Sequence, residues 1–258
     1  MSPVTSHQSP ELIVALDVPT FKEAKRFVDI LYPTVKLFKV GSQLFTAYGP
    51  EAVKMVGEKG GRVFLDLKFY DISQTVFSAV ASGTGLSCEM ISIKTEVKNT
   101  LSEEAVSLWP VFMMTVYIDS QGNKEMLAKA VEGAEKRAKE LGRDKPYIIG
   151  VTVLTDNNSN KNTSTIVLEK AQLAKGAGLD GVVCSVYEAQ AVREECGKDF
   201  IIVTPAIRPK GTANHDQKRT ATSKEAMEAG ANYIVVGRPI VEAQDPRKAA
   251  EAILKELS

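Results

Sequence analysis

Short runs of aliphatic and β-branched residues alternate with longer amphipathic stretches along almost the whole chain. The apolar runs are Leu12–Leu16, Val35–Val40, Arg62–Leu67, Tyr147–Leu154, Gly181–Ser185, Phe200–Thr204 and Tyr233–Val236. They are apolar at both odd and even positions, the pattern of strands covered on both faces in a parallel sheet. Between them lie helical patterns at Thr20–Leu31, Pro50–Lys59, Lys124–Leu141, Ser164–Gly176 and Ser223–Ala229, and Pro246–Leu257 closes the chain. Thr20 followed by Glu23 reads as a capping box, and Gly142 as a stop signal after the long helix. Alternating strands and helices leave two closures, a doubly wound sheet or a barrel. Seven strands, with one more in 88–117, predict an α/β fold of the (β/α)8 TIM-barrel type. No Pro/Gly-rich linker divides the chain, so the reading is one domain behind a polar N-terminal extension, residues 1–11.

The pattern is irregular between 88 and 123. Two strand-like runs, Cys88–Lys94 and Val111–Tyr117, compete for the position of strand four, and a regular barrel needs only one of them. Met90-Ile91-Ser92-Ile93 resembles Met113-Met114-Thr115-Val116, as in a partial repeat. The charged segment from Thr95 to Glu104 and then Leu108-Trp109-Pro110 read as an insertion over about 95–110, with Pro110 better suited to a strand start than a helix interior.

Composition narrows the function classes. Among 258 residues, 32 basic side chains balance 32 acidic ones, which argues against a broad nucleic-acid or membrane surface but leaves room for a local anion pocket. Three cysteines without a close pair and only two histidines, His7 and His215, give no zinc-type spacing. The polar first eleven residues lack an apolar signal region, and no run approaches the roughly 20 residues that span a bilayer. The expectation is a soluble, cytoplasmic protein whose fold needs no disulfide or metal.

Ionisable residues recur where strands end, and in a barrel of this type the active site lies at those ends. Asp17 follows the first strand, Lys39 lies near the end of the second, and Asp66, Lys68 and Asp71 follow one another after the third. Asp66 and Lys68 are two apart, so on a strand they share a face with Phe64, the barrel interior. Two readings stand for this pair: a structural ion-pair network capping the barrel, or charges held in place for electrostatic catalysis. Lys39 has an alternative as an outward lysine snorkelling past a helix, and Asp71 as a helix N-cap. In the second half, Thr204-Pro205-Ala206-Ile207-Arg208-Pro209 and Val235-Val236-Gly237-Arg238 follow strands seven and eight, the usual phosphate-gripping position. Gly237 would let the backbone approach an anion, and Arg238 offers a bidentate guanidinium.

The motifs LDVP at 16–19, FKVG at 38–41, LDLKFYDI at 65–72, VTVLT at 151–155, TPAIRP at 204–209, DQKR at 216–219 and IVVGRPI at 234–240 together resemble the orotidine 5'-phosphate decarboxylase family. The resemblance spans about residues 12–255. It implies a cofactor-free lyase that converts orotidine 5'-monophosphate into uridine 5'-monophosphate and CO2 in pyrimidine biosynthesis. It also implies roles: Asp17 and Lys39 on ribose hydroxyls, Asp66 beside the scissile carboxylate, and Lys68 as general acid. Asp71, with Ile72 and Thr75, would come from the neighbouring subunit of a homodimer. Thr155 would meet the pyrimidine edge, and Gln217, Gly237 and Arg238 would hold the 5'-phosphate, with Arg208 nearby. The chain departs from the family pattern at Ser73-Gln74, at Ala206 in place of a glycine, and around strand four. Those departures keep two alternatives open, a catalytically impaired nucleotide-binding barrel and a related sugar-phosphate decarboxylase.

Overall fold

The computed structural model describes residues 9–96, 110–119, 122–154, 162–208 and 219–257, with side chains from 87 to 96 excepted. Eight parallel strands close into a barrel in sequence order: β1 (Glu11–Ala15), β2 (Leu37–Gly41), β3 (Arg62–Phe69), β4 (Val111–Tyr117), β5 (Tyr147–Val151), β6 (Gly181–Val183), β7 (Ile201–Thr204) and β8 (Tyr233–Val236). Helices follow the strands: α1 (Phe21–Leu31), α2 (Ser42–Tyr48) and α3 (Pro50–Lys59), α4 (Ser73–Glu96), α5 (Lys124–Glu140), α6 (Thr163–Gly176), α7 (Val186–Cys196), α8 (Ser223–Glu228), then α9 (Arg238–Val241) and α10 (Pro246–Glu256). The fold is therefore the predicted (β/α)8 barrel.

The barrel works because successive strand residues face opposite ways. Ile13, Ala15, Leu37, Phe64, Met113, Ile149, Val203 and Val235 fill the interior. Their neighbours Val14, Phe38, Leu65, Met114, Ile148, Ile202 and Ile234 pack outward against Leu31, Val56, Leu127, Val167, Val192 and Ile253 of the helices. Both layers are apolar, which is why the strands read as unbroken apolar runs. Thr20 caps α1 as expected, accepting the Glu23 N–H at 3.2 Å. Gly142 follows α5 with φ +62°, the left-handed stop expected of it.

Strand four is Val111–Tyr117, and the competing run Cys88–Lys94 belongs to α4. A short apolar run in a helix and one in a strand look alike by periodicity. Pro110 directly precedes β4, and its carbonyl accepts the Val63 N–H. Most of the inferred insertion, residues 97–109, lies outside the described residues. Among the described residues no helix is long and apolar enough to cross a membrane.

Candidate active site

The inward positions of β1, β2 and β3 bring charge to the C-terminal mouth. Gly41 of β2 pairs with Asp66 of β3, so Lys39 and Asp66 extend from the interior columns of Leu37 and Phe64. Lys39 Nζ donates to Asp17 Oδ1 at 2.8 Å and stands 3.4 Å from Asp66 Oδ2. Lys68 Nζ donates to both Asp66 oxygens, at 2.9 and 3.0 Å. The result is a row, Asp17–Lys39–Asp66–Lys68, of alternating sign. Its inner members are buried, and Asp17 is about half exposed. The alternative of an outward, snorkelling Lys39 is overturned, because its side chain is only 11% exposed and faces two carboxylates.

The charges hold one another ionised. Burial alone would raise the Asp66 pKa, but the Lys39 and Lys68 ammoniums, with hydrogen bonds from Lys68 and Thr115, bring it below the usual carboxylate value. Burial alone would lower that of Lys39. Asp66 and then Asp17 reverse this and leave the lysine above its ordinary value. Two buried charges of one sign would be untenable here, and alternation makes the burial affordable.

Lys68 reaches its position by a break in β3 rather than by regular strand geometry. The β3–β4 ladder runs Leu65↔Met114 and then Phe69↔Val116, so β3 carries two extra residues between these rungs. Within the bulge Lys68 has φ +51°, in the left-handed region that a non-glycine residue enters at a cost of about 1–3 kcal/mol. Thr115, fully buried on β4, supports the bend. Its Oγ1 accepts the Lys68 N–H at 2.8 Å and donates to Asp66 Oδ1 at 2.9 Å. One hydroxyl thus positions both members of the pair.

Thr115 and Gly41 escaped the sequence reading. Thr115 lay inside an apolar run, where its only signal was its parity with the inward Met113. Gly41 was visible in the FKVG motif, but its role was not. A Cβ at Gly41 would lie 2.8 Å from Asp17 Oδ1 and 2.9 Å from Lys39 Nζ, so its hydrogen leaves the room in which that ion pair forms.

The other expected site residues divide into three groups. Asp71, Ile72 and Thr75 stand outside the charged row and are exposed, Ile72 to 73%. Asp71 is not the N-cap residue itself. α4 starts at Ser73, and the Asp71 carboxylate accepts the Ile72 N–H at 2.6 Å just ahead of it. Arg208, Gly237 and Arg238 sit at the C-terminal ends of the adjacent strands β7 and β8, which pair through Thr204 and Ile234. Arg208 is buried and its N–H bonds the Ala221 carbonyl at 2.8 Å, while Gly237 leads into α9, which Arg238 begins. Thr155 and Gln217 lie outside the described residues. Ala206, where the resemblance calls for glycine, has φ +62°, the backbone shape that explains a glycine there.

An alternating row of ionised groups on β1 to β3, with two arginines and a helix-capping glycine after β7 and β8 on the same rim, suits a substrate with a reacting centre and an anionic tail. Comparison with known proteins agrees. The model of the orotidine 5'-phosphate decarboxylase / HUMPS family matches residues 10–253. An orotidine 5'-phosphate decarboxylase from Moorella thermoacetica is 40% identical over 263 residues, covering 98% of this chain and 94% of its own. One from Geotalea daltonii is 39% identical, covering 96% and 95%. The crystal structure of orotidine 5'-phosphate decarboxylase from Lactobacillus acidophilus superposes with a TM-score of 0.75 at 32% identity, over 96% of this chain and 99% of the other. Matched nearly end to end in sequence and in barrel architecture, this chain belongs to the orotidine 5'-phosphate decarboxylase / HUMPS family.

Proposed function

We propose that this protein decarboxylates orotidine 5'-monophosphate to uridine 5'-monophosphate and CO2, the last step of making a pyrimidine nucleotide, without metal or cofactor. The observation that carries the reading is Lys68, an ammonium held by both oxygens of an ionised Asp66 at the mouth of the barrel. When the bond from C6 to the carboxylate breaks, the electron pair stays on C6, where the ring delocalises it poorly. An ammonium already beside that carbon stabilises the developing charge with no reorganisation and then passes its proton to C6. Asp66 repels the substrate carboxylate more in the ground state than as it leaves as CO2. Asp17 and Lys39 take the ribose hydroxyls, and Arg208, Gln217, Gly237 and Arg238 the phosphate, with Thr155 at the pyrimidine edge.

The same reading makes the enzyme a cytoplasmic homodimer. Asp71 cannot join the row of its own chain while it is turned to Ile72 in the exposed stretch Tyr70–Ile72. An exposed apolar pair flanking a carboxylate suits a second copy, to which Asp71, Ile72 and Thr75 would be contributed. A related sugar-phosphate decarboxylase is the weaker reading, because relatives near 40% identity over almost the full chain carry the name orotidine 5'-phosphate decarboxylase.

The test is the loss of orotidylate absorbance with purified protein in the presence of a chelator, across protein dilution. Turnover should persist with chelator and fall per chain when dilution separates the subunits. Lys68→Ala should remain folded and lose at least about 10³-fold in kcat, the scale of removing one group that acts only on the transition state. Wild-type kcat in Lys68→Ala would sink the mechanism.

A further inference from the structure

Lys170 is a buried cation that the proposed chemistry leaves unused. It lies on α6 in the stripe Val167, Lys170, Ala171, Ala174, all of them buried, and is itself 8% exposed. Its Nζ donates to the carbonyls of Ile118 at 2.7 Å and Thr152 at 2.9 Å, and stands 5.2 Å from the centre of the Tyr117 ring. Burial lowers its pKa, and the Asp119 carboxylate opposes that through space.

Those carbonyls lie one residue beyond the ends of β4 and β5. The last rung between the two strands is Ile118 N–H to the Val151 carbonyl at 3.1 Å. Buried carbonyls past that rung need donors, and one ammonium serves both. A glutamine amide would carry a smaller desolvation penalty, but its nitrogen stops one bond short of a lysine Nζ, so it is the lysine that reaches both carbonyls from α6.

The strand ends joined in this way carry the site. Three residues before Ile118, Thr115 holds Asp66 and the backbone of Lys68. Thr152 extends the tie to β6 by donating its hydroxyl to the Val183 carbonyl at 2.7 Å. Tyr117 meets Tyr70 edge to face at 5.7 Å, two residues past Lys68, and the Tyr70 hydroxyl donates to Asp119. We propose that Lys170 is a positioning residue for decarboxylation: by clamping the ends of β4 and β5 from the helical layer, it holds Thr115, and through it the Asp66–Lys68 pair, where the reacting carbon needs them. The inference rests on the function proposed above. Its signal in the sequence is a lysine in a stripe position that a helix otherwise gives to apolar residues.

Wild type, Lys170→Met and Lys170→Gln are compared for kcat and KM on orotidine 5'-monophosphate, for uridine 5'-monophosphate affinity by calorimetry, and for Tm. Methionine keeps length and volume but donates nothing. We expect its kcat to fall about 10- to 100-fold, the scale of a small misplacement at the reacting centre, with KM and product affinity changed less than about threefold. Glutamine should recover part of the lost kcat. A folded Lys170→Met with wild-type kcat, or a loss carried wholly by KM, overturns the proposal. Should Lys170→Met fail to fold, Lys170→Gln, whose side chain stops one bond short of the lysine nitrogen, decides by the same split, and an unchanged kcat there overturns it. A wild-type protein that binds the nucleotide yet releases no CO2 overturns instead the decarboxylase reading beneath it.

Discussion

At Gly41 a missing side chain matters more than most of the side chains nearby. Its φ of −94° is one that any residue adopts, so conformational freedom does not explain the glycine. The space does: a methyl group would press on Asp17 Oδ1 and Lys39 Nζ, both the far ends of flexible chains. They can swing aside while the backbone stays, but Lys39 is a buried ammonium that leaves its carboxylates only at a cost. Gly41→Ala should therefore lower stability by about 1–3 kcal/mol, offset in part because alanine lowers the entropy of the unfolded chain. It should also lower kcat/KM by about 10- to 100-fold, because Lys39 would lose its place between Asp17 and Asp66. Thermal melts beside steady-state kinetics would check this, and full activity would mean that the Asp17–Lys39 contact is dispensable. Thr115 illustrates the complementary case, in which a hydroxyl in an apolar strand is worth reading as a ligand of its neighbours.

Elements were legible in the sequence wherever one pattern had one explanation. Seven strands came through because both of their faces are covered by apolar layers, and the cap at Thr20 because its chemistry is local. β5 ends at Val151, short of the expected Leu154, because its ladder with β6 stops at Val151↔Val183. α2 was not anticipated, since it follows β2 without any turn signal and is only seven residues long. The charged row was half legible: the residue types and order pointed to it, but the bulge that turns Lys68 onto Asp66 depends on β4, which lies more than forty residues away. Helix packing was likewise invisible. Gly133 of α5 lies so close to α4 that a Cβ there would sit 2.4 Å from the Phe77 carbonyl oxygen. Backbone cannot swing aside as a side chain does, so Gly133→Ala should force the helices apart. We expect a loss of about 1–3 kcal/mol, read as a lower urea midpoint, despite the better helix propensity of alanine. An unchanged or raised midpoint would mean that the two helices slide freely.

The whole molecule separates holding from doing at its two ends. At the N-terminal end of the barrel, Arg193 donates to the carbonyls of Gly197, Lys198, Phe200 and Gly230 and to Asn232 Oδ1, which also accepts the Ile202 N–H. Lys145 and Asp180 pair at 2.6 Å at the same end, and the Asp180 carboxylate also takes the Ile148 N–H at the start of β5. At the other end the buried charges of Lys39 and Asp66 link the mouth to folding through protons. The Asp66 pKa is lower folded than unfolded, so its contribution is complete above the unfolded carboxylate value of about 4 and is lost as pH falls through the folded one. The Lys39 pKa is raised, so its share is complete below the unfolded lysine value of about 10.4 and is lost as pH climbs through the folded one. Between roughly pH 5 and 9 this pair should leave stability flat. Asp66→Asn isolates the acid limb. At pH 7 it strips Lys39 and Lys68 of their shared anion and should lower Tm, with a cost of about 3–5 kcal/mol for breaking a buried pair. Below pH 4 the unfolded chain takes up a proton at Asp66 while the folded carboxylate follows only at lower pH, so wild type loses its advantage and the two melting curves should converge as pH drops. Curves that stay parallel from pH 7 to pH 3 would mean that Asp66 is not held ionised by its neighbours, and the electrostatic basis of the mouth would fall with it.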